Sequence, residues 1–399
     1  MAGCRSNIID LPCILRKYYK NNTEIIEENI KQLYKPSSFE LTATIKIEHS
    51  PGIRKVIYYM KIREHHTNVN IRSMARFKNE VEIYGSVIPA ITDFQISKRI
   101  SPTRLYCNIF PSCIGARISI ISYRTAPDDT GVLLLENLKG KGYINPGAKE
   151  GLDLASCELV LLRMAHMHVA PLVMRHIRPR DFEEKVVPTL MTTQLEKNTY
   201  CYKYVNKLLS MTLKSKKIAK YSPSIIMSID NSVCNHCAGN PYENSAWMTL
   251  CHSKLYNTNL MLAYHNSMPI GCKILNLKNF QYSHCCNDLL FFLFTSVDNE
   301  VLQEKFDYLT DYYFTCFEDM LKEYKVRTTG YTKDEFHKEM AKQCPLTFIK
   351  ILEALAETTC KKYDAKGNPI IGSRFQKKLE FVLDFMISRG WFGFVIDKS

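Results

Sequence analysis

Phe39-Glu40-Leu41-Thr42-Ala43-Thr44-Ile45-Lys46-Ile47-Glu48 alternates apolar and polar residues without a break. A period of two puts Phe39, Leu41, Ala43, Ile45 and Ile47 on one face of a strand and leaves the other face polar. Ser50-Pro51-Gly52 supplies a turn, and Val56–Arg63, rich in Ile, Val and Tyr, returns as the second strand of a hairpin. Upstream, Ile26, Ile30 and Leu33 within Glu24–Tyr34 fit one face of a helix that ends at Lys35-Pro36-Ser37-Ser38. Downstream, Met74, Phe77, Val81, Tyr84 and Ile88 recur at steps of three and four, predicting a helix over 70–88 that Pro89 stops. Arg104–Phe110, Ala116–Tyr123 and Gly131–Glu136 read as three more strands. Residues 1–136 therefore read β-β-α-β-β-β, and 137–150, with several Gly and Lys, as a connector. From Leu152 the texture is helical: Leu152–Met174, 181–221 and 283–392. Two short β pieces lie within Cys251–Gln281, around Asn266-Ser267-Met268-Pro269. The expected fold is α+β and bilobal, with a small antiparallel β lobe (1–136) and a larger helical lobe (151–399).

The 399 residues carry 53 Lys+Arg against 40 Asp+Glu, a net charge of +13, with 46% apolar and 23% charged residues. That balance disfavours wholesale disorder, collagen-like repeats and coiled coil. The longest apolar runs, such as Leu289–Phe294, are too short for a membrane span, and Met1–Lys20 shows no apolar signal core. Fifteen cysteines without such a signal are expected to be free thiols in a reducing cytoplasm. The excess of positive charge is compatible with nucleic acid, anionic lipid or a phosphorylated ligand, or simply with a basic surface. The short run Lys214-Ser215-Lys216-Lys217 reads as a solvated helix face, and nothing resembles a nucleic-acid-binding module.

A strand bearing one lysine followed by a helix bearing one glutamate is a device for holding nucleotide phosphates, the glutamate orienting the lysine. Lys61, in Tyr58-Tyr59-Met60-Lys61-Ile62, and Glu80, in Phe77-Lys78-Asn79-Glu80, are candidates. Lys61 lies on the polar strand face, so a solvated lysine is the bland alternative, as is a surface position for Glu80. Further on stand Leu250-Cys251-His252-Ser253-Lys254-Leu255-Tyr256-Asn257-Thr258-Asn259-Leu260, then Ile274-Leu275-Asn276-Leu277-Lys278-Asn279-Phe280-Gln281, then Asp288-Leu289-Leu290. In that order they resemble the H-G-D-L-W-x-x-N, I-D-F-Q and D-L-L-x-F-L motifs of the ecdysteroid kinase-like (CHK kinase-like) proteins of insects, relatives of choline and aminoglycoside kinases. Phe77, Glu80 and Tyr84 match that family's F-x-x-E-x-x-x-Y helix, and Leu135-Glu136-Asn137-Leu138 its L-E-D-L hinge. Met164–His168 and Lys377–Gly390 resemble two further helices, so the likeness covers roughly 30–392.

The resemblance implies a protein-kinase-like fold that transfers the γ-phosphoryl of ATP to a small-molecule hydroxyl, a steroid-like or xenobiotic alcohol. It implies Lys61 on phosphates, Glu80 orienting it, backbone near Glu136 and Leu138 against adenine, and Asn259 beside Mg²⁺. It places the catalytic loop at 250–260 and the metal-loop segment at 274–281. Three departures stand out. The position of the motif's aspartate base is Lys254, a cation without a free lone pair. The metal-ligating aspartate is Asn279, a weaker ligand for a hard cation. Lys35-Pro36-Ser37-Ser38 lacks the phosphate-loop glycine. Asp to Lys changes the charge by two and Asp to Asn by one, so the motif positions are three units more positive than the family pattern. The expectation is a pseudokinase that binds ATP or a small apolar ligand, with Mg²⁺ binding disfavoured. The rivals are an active small-molecule kinase that recruits another acid, such as Asp288 or Glu243, and a basic nucleic-acid-binding protein. Zinc at Cys234-Asn235-His236-Cys237 or His284-Cys285-Cys286 is the minor reading, as are ligand roles for His166 and His168. Phe291, Phe292, Phe294, Tyr312 and Tyr313 read as core.

Overall fold

The computed structural model describes residues 10–33, 37–63, 71–147, 151–189, 208–210, 212–213, 215–228, 245–327, 329–359, 370 and 372–391. Cys234–Cys237, Glu243 and the Lys35-Pro36 part of the expected phosphate loop lie outside them. The chain divides into two compact units, one formed by 1–144, 177–194 and 273–280, the other by 145–176, 195–272 and 281–399.

The first unit holds helix α1 (Leu11–Tyr19) and strands β1 (Thr23–Gln32), β2 (Ser38–Ile47) and β3 (Ile53–Ile62). Helices α2 (Ile71–Glu82) and α3 (Ile88–Ser97) follow, then strands β4 (Cys113–Arg117) and β5 (Val132–Glu136). The strands form one antiparallel sheet in the order β1-β2-β3-β5-β4. All five apolar positions of β2 are buried, and they pack with Tyr58, Met60, Ile62, Val132, Leu134 and the Leu11 and Leu15 side chains of α1. Val132–Glu136 is buried along its whole length, as expected of a strand covered on both faces.

Four expectations change here. Glu24–Tyr34 is not a helix: most of it is β1, paired with β2 from Thr23↔Ile47 to Gln32↔Phe39. A bulge between Ile25 and Glu27 puts Ile25 and Ile30 on the packed face and leaves Ile26 51% exposed, so the strand's period of two is broken in the sequence. The exposed pairing edge of β2 settles the choice. Pro89 does not stop the helix. A π turn over Ile83–Val87 shifts the bonding step, and Pro89 falls in the first turn of α3, where no N–H is needed. Arg104–Phe110 forms two 3₁₀ turns (Pro102–Arg104 and Tyr106–Ile109), because the buried Gln95 amide bonds the backbone of Arg104 and Tyr106. The strand expected over Ala116–Tyr123 is Cys113–Arg117. It ends where Asp128 gathers the Ser119 and Thr130 hydroxyls and its own N–H bonds the Ile118 carbonyl. Gly131 is required in that loop, since a Cβ there would lie 2.8 Å from the Ile118 carbonyl oxygen.

The second unit is built on helix α4 (Leu154–Ile177). Among the described residues α4 is the one helix long and apolar enough to cross a membrane, but 78% of its apolar window is buried within the protein, as in a core helix. Strand β6 (Met248–Cys251) pairs antiparallel with β9 (Gln281–His284). Between them lies the hairpin β7 (Leu260–His265) and β8 (Met268–Ile274). Its two turn residues, Asn266 (φ 48°) and Ser267 (φ 65°), are both left-handed, as a two-residue hairpin loop demands. Helices α5 (Cys285–Ser296), α6 (Asn299–Glu323), α7 (Lys333–Thr359) and α8 (Ser373–Ser388) complete it. Phe291, Phe292, Phe294 and Tyr313 are fully buried core.

Candidate functional site

In the first unit Lys61 and Glu80 meet. Lys61 Nζ stands 2.7 Å from Glu80 Oε1, with the two side chains only 17% and 4% exposed. The Lys61 end of that face of β3 is therefore covered rather than solvated, while Ile53, Lys55 and Ile57 on the same face are exposed. Burial opposes the lysine's charge, but the glutamate reverses that effect and holds the Lys61 pKa above its ordinary value. Glu80 Oε1 also accepts the Leu277 N–H at 3.1 Å. The neighbouring Asn79 amide donates to the Lys278 and Phe280 carbonyls, each at 3.2 Å. Two consecutive residues of α2 thus hold both the phosphate-lysine position and the segment bearing Asn279. Asn79 was not singled out from sequence, although an amide beside the motif glutamate is a readable signal.

At the hinge position, the Glu136 N–H bonds the Ser112 carbonyl, and its carboxylate accepts the Ser112 N–H and pairs with Lys141. Burial raises the Glu136 pKa, but these bonds outweigh it and hold it low. The Leu138 carbonyl accepts from Lys141 and Tyr143. Part of the backbone polarity expected to meet adenine is committed internally.

The second unit contains Lys254 and Asn259. Asp288, in the first turn of α5, is 1% exposed. Its carboxylate accepts the His252 and Ser253 N–H groups, the latter at 2.7 Å, and faces His168 Nε2 at 3.3 Å. His168 Nδ1 in turn meets the Tyr313 hydroxyl at 2.7 Å. Burial raises the Asp288 pKa, yet the His168 hydrogen bond and charge, His252 and the Ser253 N–H overturn it and keep the carboxyl below its ordinary range. Asp288 is committed to shaping the loop, so it is not available as the recruited base of the active-kinase reading. Ser253, where the motif has glycine, is held at φ 65°, and among the described residues its buried hydroxyl has no hydrogen-bond partner. Ser253→Gly is expected to stabilise the protein by about 1–2 kcal/mol, removing both the left-handed strain and the unsatisfied hydroxyl; a urea midpoint measures it.

Lys254 does not stand alone. Its Nζ lies 3.0 and 3.3 Å from the two carboxylate oxygens of Glu357 on α7, with the side chains 28% and 42% exposed. Asn259 Nδ2 donates to the Lys254 carbonyl at 2.8 Å, and the Asn145 amide ties the Asn257, Thr258 and Leu260 carbonyls. The Asn259 amide nitrogen therefore closes the loop. None of the positions Lys254, Asn259 and Asn279 offers a carboxylate, the oxygen ligand that Mg²⁺ favours. Glu357 was not foreseen: an acid on a helix over a hundred residues away carries no local signal.

Two buried groups have metal-ligand chemistry: His168, Cys251 and Asp288, and His284, Cys285 and Cys286. In each the imidazole is fully engaged. His284 bonds Glu339 through Nε2 at 3.1 Å and accepts the Cys286 N–H at Nδ1, and His168 spans Asp288 and Tyr313. A carboxylate partner requires an N–H, and the other nitrogen is used as acceptor, so neither ring has a lone pair to spare.

A five-stranded antiparallel sheet with a buried lysine–glutamate pair, and a helical unit whose His-led loop hangs on a buried aspartate, define a kinase-like protein of α+β class. The chain belongs to the ecdysteroid kinase-like family, whose model matches residues 37–326. No curated protein matches it by sequence. Among solved structures it is similar to the ethanolamine kinase of Plasmodium vivax (10% identity, 94% of this chain and 84% of that one, TM-score 0.43). It is also similar to the choline kinase of Cryptosporidium parvum Iowa II (13%, 97% and 95%, TM-score 0.42). A third is the GDP complex of aminoglycoside 2′-phosphotransferase-IIIa (10%, 96% and 99%, TM-score 0.38).

Proposed function

We propose that this protein is a pseudokinase: it binds ATP through Lys61 without Mg²⁺ and does not transfer phosphate efficiently to a steroid-like or xenobiotic alcohol. The observation that carries the reading is the pairing of Lys254 with Glu357. At the position where a kinase-like loop needs a free carboxylate, a cation is held by an acid from another helix, so neither group is free to take a hydroxyl proton. The intact Lys61–Glu80 pair supports retained phosphate binding, because this is the part of the machinery that orients a cation rather than moves a proton. A reducing cytoplasmic setting belongs to the same proposal and fits the ten described cysteines, which are thiols rather than disulfides.

Thermal-shift titration with ATP, with and without Mg²⁺, tests the binding half. Stabilisation by ATP in EDTA is expected. Lys61→Met should weaken binding by about 10–100-fold, the loss of one charge-assisted contact of about 1.5–3 kcal/mol. Strictly Mg²⁺-dependent binding with rapid ADP release would overturn the reading.

A further inference from the structure

The second unit contains a cleft of about 510 Å³, within the size range of small-molecule sites. One wall is the start of α8, where Arg374, Lys377 and Lys378 recur at i, i+3 and i+4 and so share a helix face. The facing wall is the end of α7, where the Thr358 and Thr359 hydroxyls donate to the Ala354 and Leu355 carbonyls of their own helix, and Tyr256 lies along its side. Lys378 is half-buried, and Nζ donates to the Val297 carbonyl (3.0 Å) and to Asn299 Oδ1. Both acceptors are neutral, and no carboxylate lies within ion-pair distance of Nζ among the described residues. Two acids also line the cleft. Asp298 spends one oxygen capping α6 on the Glu300 N–H at 2.8 Å, and Glu300 itself is exposed at the rim. Asp298 offsets the Lys378 charge only in part, since burial still holds the lysine's pKa below its ordinary value, and a ligand anion in the cleft would add to that compensation.

We propose that this cleft binds a small organic phosphate, its oxygens taken by Arg374, Lys377 and Lys378, its organic part lying against Tyr256, Val297 and Leu355. The site is built within the helical unit and does not depend on nucleotide binding at Lys61. Three cations on one face suit a dianionic, many-acceptor group better than a neutral alcohol.

Calorimetric titration of the full chain with phenyl phosphate, and with benzyl alcohol as neutral comparison, tests this. Saturable phenyl phosphate binding is expected, with benzyl alcohol binding at least tenfold weaker. Arg374→Gln/Lys377→Gln, at two exposed positions where the fold is preserved, should lose at least tenfold in affinity with an unchanged circular-dichroism melt. Lys61→Met should leave phenyl phosphate binding as it is. No saturable binding by the wild type, equal binding of the neutral alcohol, or unchanged affinity in the double variant would overturn the proposal. So would a loss caused by Lys61→Met instead.

Discussion

Asp288→Ala is expected to destabilise the protein by about 3–5 kcal/mol, the cost of removing one partner from a buried, hydrogen-bonded charge network. The carboxylate accepts two successive backbone N–H groups of the catalytic loop and faces His168. Alanine would leave both N–H groups and the imidazole without their acceptor in a site closed to water. Asp288→Asn, which keeps the volume and one acceptor oxygen, should lose about half as much on the same grounds. Because folding holds the carboxyl below its ordinary pKa, its contribution is fully present above the unfolded-state value. It disappears as the pH falls below that value toward the folded one, so the wild type should lose stability in acid more steeply than Asp288→Asn. Urea unfolding of the three proteins at neutral and acid pH measures this. A loss under about 1 kcal/mol for Asp288→Ala would mean that the network is ornamental.

Lys254→Asp/Asn279→Asp/Glu357→Gln is expected to raise the rate of ADP release from ATP with Mg²⁺ by about 100-fold or more, since a positioned general base alone contributes about 10²–10⁴. The third substitution follows from the geometry. An aspartate introduced at 254 would face the Glu357 carboxylate that now holds the lysine. Like charges at that separation would raise the new acid's pKa and favour its protonated form. The two-site variant that keeps Glu357 should therefore gain less than the three-site variant. A coupled assay of ADP release reads both. Equal and low rates in wild type and three-site variant would show that the loss of the acids is not what limits transfer, and would overturn the pseudokinase reading.

The alternation of Phe39–Glu48 was sufficient to place β2, because one dry and one wet face is a property of the local chain. The candidate pair Lys61 and Glu80 was legible for a related reason: a lysine on the polar strand face and a glutamate in the following helix are visible one at a time. Their meeting, and the backbone bond from Leu277 to Glu80, are contacts across 19 and 197 positions of sequence. β1 is not legible as a strand because a bulge at Ile26 breaks its period of two, setting the packed Ile25 and Ile30 five apart, and the free edge of β2 is a tertiary feature. The run through Pro89 was misread because a π turn has no residue signature of its own.

By itself, then, the sequence determined the α+β order and the family, and it set Lys254 and Asn279 where the resembling motifs carry aspartate. The tertiary structure alone decided which groups surround those positions. Glu357 comes from α7, 103 positions away, to occupy Lys254. Asp288, which the sequence left open as a spare acid, is consumed by the loop backbone. Residue types are written locally, but the charge state and availability of a side chain depend on what long-range packing sets beside it.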